Sequence, residues 1–266
     1  MQPRDPMVRV QRPGGAESGR ARRPSTPFNV DAGPSGLIAE RDREVFLDIL
    51  SHELRTPVTT IYGGAQLLAT RDLAPARRRA LAADVRTEAD RLYRLVEDLV
   101  ILVHSEPDRI RPVGEPVAVG LLVTAAIERA IARHPDVQIR FLGTRDAAAD
   151  GADEVMVTHV LRNLLDNAVR YGADAGPIEV IVSESATEVA VRIIDRGEPP
   201  KAGAHPFALS ADAPATAARR AGGGIGLYVA DRLIAAMHGR MWALPAGRVG
   251  AEFGFALVSL HGRARG

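Results

Sequence analysis

His52 lies in the stretch FLDILSHELRTP, residues 46 to 57. Phe46, Leu50, Leu54 and Ile61 recur at helical spacing as one apolar stripe, and His52, two positions from both Leu50 and Leu54, falls on the opposite, water-facing side. Glu53 follows directly and can act as a base; Thr56 comes one helical turn later on the same face. Pro57 removes the N–H that would bond the Glu53 carbonyl, which predicts a bend just past the histidine. An exposed imidazole beside a carboxylate suits nucleophilic group transfer; a merely solvated surface histidine is the competing reading.

A second set lies farther along. Asn163 and Asn167, spaced i, i+4 in an amphipathic stretch from Asp153 to Tyr171, present two carboxamides side by side. A carboxamide oxygen can ligate Mg2+ without adding charge, and its amide can donate to a phosphate, which suits the mouth of a nucleotide pocket. Arg170 and Tyr171 close the stretch, where the guanidinium could pair with phosphate oxygens; the alternative is two surface asparagines and a cation favoured at a helix C-terminus. Asp195, in Asp-Arg-Gly at a strand end, could accept a hydrogen bond from an adenine amino group or simply form a turn. Gly222, Gly223, Gly224 and Gly226 precede a helix, leaving backbone N–H groups and the positive helix end for phosphate, although a flexible loop has the same composition. Between them Glu198 to Ala221 is rich in Ala and Pro and reads as a mobile lid, with Arg219 and Arg220 placed to reach a nucleotide and Phe207 its sole aromatic.

The elements that must position these groups fall into blocks. Residues 1–36 are rich in Pro, Gly, Ser and Arg and read as a disordered tail or linker. Residues 37–106 hold two long amphipathic helices, the second with apolar positions at Leu81, Val85, Leu92, Leu95 or Val96, Leu99 and Leu102. Such a hairpin cannot enclose a core alone, so it is expected to pair with a second copy as a homodimeric four-helix bundle. Residues 107–118 form a Pro-containing linker. Residues 119–262 alternate helix and strand: helices 119–133, 153–171 and 225–237, strands 137–142, 178–183 and 189–195, and a terminal hairpin through 241–243 and 252–258. That pattern predicts helices on one face of a mixed sheet, an α/β sandwich, so the fold class is α+β in two domains.

The 266-residue chain is 46% hydrophobic with a net charge of +1, enough for a core in each domain and no basis for a nucleic-acid partner. It has no cysteine, which excludes disulfides and thiolate metal sites. The longest apolar run, Leu99 to Val103, is too short to cross a bilayer, so a soluble, cytoplasmic core is expected, with any membrane contact through a segment outside this sequence. His104, His134, His159, His205, His238 and His261 show no metal-type spacing and receive no role, and Trp242 is expected in the core.

Taken in order, these signals resemble the catalytic core of sensor histidine kinases. Ser-His-Glu-Leu-Arg-Thr-Pro at 51 to 57 is similar to that family's phosphoacceptor box, and Asn-Leu-Leu-Asp-Asn-Ala-Val-Arg-Tyr at 163 to 171 to its asparagine box. Gly-Gly-Gly-Ile-Gly-Leu at 222 to 227 resembles the second glycine box, ending in Leu227, and residues 250 to 257 the closing strand. The resemblance implies a dimerisation and histidine-phosphotransfer domain followed by a Bergerat-type ATP-binding domain. By it, His52 is phosphorylated from ATP and passes the group to an aspartate of a response-regulator receiver, with Thr56 orienting water for the reverse dephosphorylation. Asp195 and Gly197 hold adenine, and Asn163 and Asn167 serve Mg2+ and phosphate. The chain departs from the family's Asp-x-Gly-x-Gly pattern at Pro199, which stands where the second glycine is expected. A dimeric scaffold that binds a receiver with little catalysis is the alternative; a serine kinase of the same ATP fold would lack the His-bearing hairpin.

Overall fold

The computed structural model describes residues 40–104, 116–172, 175–199, 206–208, 225–247 and 249–261. Helix α1, Glu40–Thr70, and α2, Pro75–His104, form the hairpin. Glu53 meets Arg91, and a Cβ on Gly64 would strike Val85, so the helices run antiparallel and Gly64 permits their close approach.

The second domain comprises α3 (Val119–Arg133), β1 (Ile139–Gly143), α4 (Glu154–Gly172), β2 (Ile178–Glu184), β3 (Glu188–Ile194), α5 (Ile225–Ala236), β4 (Arg240–Pro245) and β5 (Ala251–Val258). The sheet order is β1-β2-β3-β5-β4. Only β1 and β2 run parallel, a pairing that requires a crossover, and α4 supplies it. The Asp153 carboxylate accepts the Met156 N–H at 2.9 Å and caps α4. At the far end of α5, His238 adopts φ 56° while the Gly239 N–H returns to the Ile234 carbonyl at 2.9 Å, a Schellman closure.

Alternation divides the sheet into faces. Ile178, Val180 and Val182 of β2 and Phe253, Phe255 and Leu257 of β5 join Val123, Ile127, Leu161, Leu164, Leu165, Leu233 and Ile234 in one core beneath the helices. Each fully buried leucine there contributes about 2 kcal/mol by burial. Trp242 departs from expectation. Its register partner is Gly254, so the pleat turns it to the opposite face, where it packs on that glycine and donates its indole N–H to Glu252 at 2.9 Å. Val137 likewise precedes β1, because its N–H closes a turn on the His134 carbonyl.

The hairpin packs on this domain. Phe46 and Leu50 are buried in the shared core, the Phe46 ring lies 6.2 Å from that of Tyr228 on α5, and Ile49, Leu54, Leu95, Leu99 and Ile101 pack against it. Part of the stripe expected to face a second copy is therefore covered within the chain, because α5 offers an equally apolar surface.

Candidate functional site

On the hairpin, His52 is exposed on the side of α1 opposite Phe46 and Leu50. The Thr56 hydroxyl turns back to the His52 carbonyl at 3.5 Å, and α1 runs unbroken through Pro57. The Glu53 carboxylate accepts a hydrogen bond from Arg91 of α2 at 2.7 Å.

In the second domain α4 carries three faces. Val157, Leu161, Leu164 and Leu165 enter the core. Asn163 and Asn167 form a second, half-buried face with Arg170 exposed below them. The Asn163 amide donates to the Gly226 carbonyl at 3.0 Å, tying the asparagine helix to the start of α5. Gly226 also lies so close to Asn163 that a Cβ would stand 3.4 Å from the carboxamide. With its amide engaged, Asn163 keeps its Oδ1 as the atom able to ligate a cation, so the donor set fits Mg2+.

Asp195, at the end of β3, is 2% exposed and accepts the Gly197 N–H at 2.8 Å. Burial holds its carboxyl above the usual carboxylate range, opposed by backbone hydrogen bonds from Gly197 and Ala251. Three glycines crowd around it. A Cβ on Gly172 would strike the Asp195 side chain, one on Gly250 the Asp195 carbonyl, and one on Gly197 the Tyr171 carbonyl. The carboxylate therefore lies at the closely packed junction of α4, the β3 end and the β4–β5 turn.

Pro199 is half-buried just beyond. Phe207 meets Phe253 edge-on at 6.3 Å, anchoring its short stretch to β5. Leu227 has its side chain in the core, which leaves only its backbone for a ligand. Gly222, Gly223, Gly224, Arg219 and Arg220 lie outside the described residues. Among the described residues no cluster of three or more acidic or histidine side chains is arranged to hold a metal, and no helix is long and apolar enough to cross a membrane.

The third face of α4, His159, Arg162 and Asp166, has no counterpart in the sequence expectations. Arg162 donates to Glu97 at 2.7 Å and to Asp98 at 2.5 Å, and its Nη2 lies 2.9 Å from His159 Nδ1. Asp166 pairs with Arg94 of α2 at 3.2 Å and with Arg133 of α3 at 3.1 Å. Asp98 is 4% exposed, so within this clasp between α2 and α4 the Arg162–Asp98 pair is the largely desolvated one. The spacing i, i+3, i+7 of three polar residues beside two other assigned faces was the available signal.

A histidine displayed on a helical hairpin is joined here to a mixed five-stranded sheet whose β3 end carries a buried aspartate among glycines. Residues 42–107 match the His Kinase A (phospho-acceptor) domain, and residues 152–260 match the histidine kinase-, DNA gyrase B- and HSP90-like ATPase domain, which binds ATP. The chain thus carries the two domains of a histidine kinase catalytic core. It is 26% identical to the sensor protein KdpD of Clostridium acetobutylicum, over 81% of this chain and 25% of that protein. It is 29% identical to the sensor histidine kinase WalK of Bacillus subtilis, over 77% of this chain and 34% of that protein. The solved histidine kinase AdeS of Acinetobacter baumannii shares the fold, with a TM-score of 0.54 at 24% identity, covering 79% of this chain and 98% of that one. The chain thus spans about a quarter to a third of the length of the curated relatives it matches.

Proposed function

We propose that this chain is the catalytic core of a two-component sensor kinase that phosphorylates its own His52 from ATP and passes the group to an aspartate of a response-regulator receiver. The observation that carries this reading is the exposure of His52 beside Glu53 in the same chain as the glycine-walled Asp195 and the Asn163–Gly226 junction. Neutral imidazole is the nucleophile. A P–N bond forms, the bond to the bridging oxygen breaks, ADP departs with that electron pair, and Glu53 accepts the imidazole proton. Asp195 would accept a hydrogen bond from the adenine amino group, while Asn163 and Asn167 would hold Mg2+ through their carboxamide oxygens. When bound, that cation offsets phosphate charge. Thr56, one turn from His52, is assigned to orienting water for dephosphorylation of the receiver. The reading includes a homodimer built on the hairpin and, from its need for ATP and a receiver, a cytoplasmic setting.

The test is incubation of the full chain with γ-labelled ATP. Acid-labile label that disappears in His52→Gln is expected, and acid-stable label or none overturns the reading. With a phosphorylated receiver added, Thr56→Ala is expected to retain labelling and to lose dephosphorylation; unchanged dephosphorylation removes Thr56 from that role.

A further inference from the structure

We infer that Arg91 is a positioning residue for phosphoryl transfer at His52, acting through Glu53. The inference rests on the assignment of Glu53 as the proton acceptor. It extends the site to the second helix, where none of the motifs in the sequence lies.

Glu53 and His52 are neighbours on α1, yet their side chains have different surroundings. The imidazole is exposed, whereas the Glu53 carboxylate, 24% exposed, turns to meet the Arg91 guanidinium, 22% exposed. Arg91 Nη2 donates to Glu53 Oε2 at 2.7 Å, and its Nη1 reaches toward Glu88 Oε2 at 3.8 Å. The guanidinium is thus braced between a carboxylate on its own helix and one on the other. Among the described residues the second Glu53 oxygen has no partner, and it is the atom left to accept a proton.

A free glutamate on a helix surface samples several rotamers, and fixing one costs conformational entropy. Arg91 meets that cost before the reaction begins, so the carboxylate waits in one orientation instead of searching for it. Arginine suits this task because its rigid, permanently charged fork holds a carboxylate oxygen in a defined direction and takes no part in the proton transfer. In the step itself the proton moves from imidazole to Glu53 while the P–N bond forms and ADP leaves; Arg91 gains and loses nothing.

The experiment measures autophosphorylation kinetics of the full chain for the wild type, Arg91→Met, Arg91→Lys, Glu53→Gln and the double variant Arg91→Met/Glu53→Gln. We expect Arg91→Met to lower kcat roughly tenfold or more with the KM for ATP unchanged, since the nucleotide is held by the other domain. Arg91→Lys is expected to recover part of the rate, and Arg91→Met is expected to have no further effect once Glu53 is Gln. An Arg91→Met rate within twofold of wild type, with Glu53→Gln slow, overturns the inference and leaves Glu53 as the base. A loss that persists undiminished in the Glu53→Gln background, or one confined to KM, shows a structural role and also overturns it. Glu53→Gln at wild-type rate removes the proton acceptor and the inference together.

Discussion

Asp195 illustrates how a single residue can oppose stability while being proposed to serve binding. Its carboxyl is held above the ordinary range, first by burial, so the ionised form is a cost to the folded state. A folded-state pKa above the unfolded one means that this cost is fully present above the raised value and is relieved as pH falls through it. Asp195→Asn keeps an acceptor for the Gly197 N–H and carries no charge. We therefore expect its Tm at pH 7 to equal or exceed that of the wild type, with the difference shrinking as the pH drops toward the carboxylate range. ATP affinity should meanwhile weaken about tenfold or more, because the amide cannot offer adenine a charged acceptor. Thermal scans at pH 7 and pH 5 with calorimetric ATP titration check this, and a large Tm loss with unchanged affinity would sink it. Asp195 was legible in the sequence as a carboxylate at a strand end. The Gly172 and Gly250 walls were not, because a glycine in a turn does not announce which distant side chain it must make room for.

At the scale of elements, nearly every helix and strand was legible, since 3.6- and 2-residue periods are local properties. The clasp between α2 and α4 was not. Arg162 and Asp98 lie 64 residues apart, and each alone reads as an ordinary charge on a helix surface. The clasp has a consequence for catalysis. Phe46 and Leu50 bind the nucleotide domain to one side of α1, while His52 faces the other. For a chain to phosphorylate its own histidine, that domain must leave the side it occupies, and the Arg162–Glu97, Arg162–Asp98 and Arg94–Asp166 pairs resist departure. Arg162→Met removes two of those pairs and leaves the Asn163 face untouched. We expect autophosphorylation to rise about fivefold or more, accompanied by faster hydrogen exchange in α2. An unchanged rate despite faster exchange would mean that the clasp does not limit the reaction, as expected if the phosphoryl group is delivered across a dimer.

At the scale of the whole molecule, the described residues leave apolar surface that their own packing does not use. With Phe46 and Leu50 committed to α5, the hairpin still exposes Val58, Tyr62, Leu67, Tyr93 and Val96 at 46–72%. Val58 and Tyr62, one turn apart on α1, and Tyr93 and Val96 on the adjacent α2 are exposed apolar side chains of the kind that mark an interface. The net charge of +1 gives little long-range repulsion between copies. A second hairpin laid against this one would cover them and complete a four-helix bundle, with the nucleotide domains outside it. Val58 and Tyr62 lie away from the clasp, so Val58→Lys with Tyr62→Lys should break the association and spare the ATP site. Light scattering after size exclusion is expected to give the mass of two chains for the wild type at micromolar concentration and of one chain for the double variant, with ATP affinity equal in both. A wild type that runs as one chain would remove the dimer. Loss of ATP affinity in the variant would show instead that the substitutions disturb the fold beyond the hairpin.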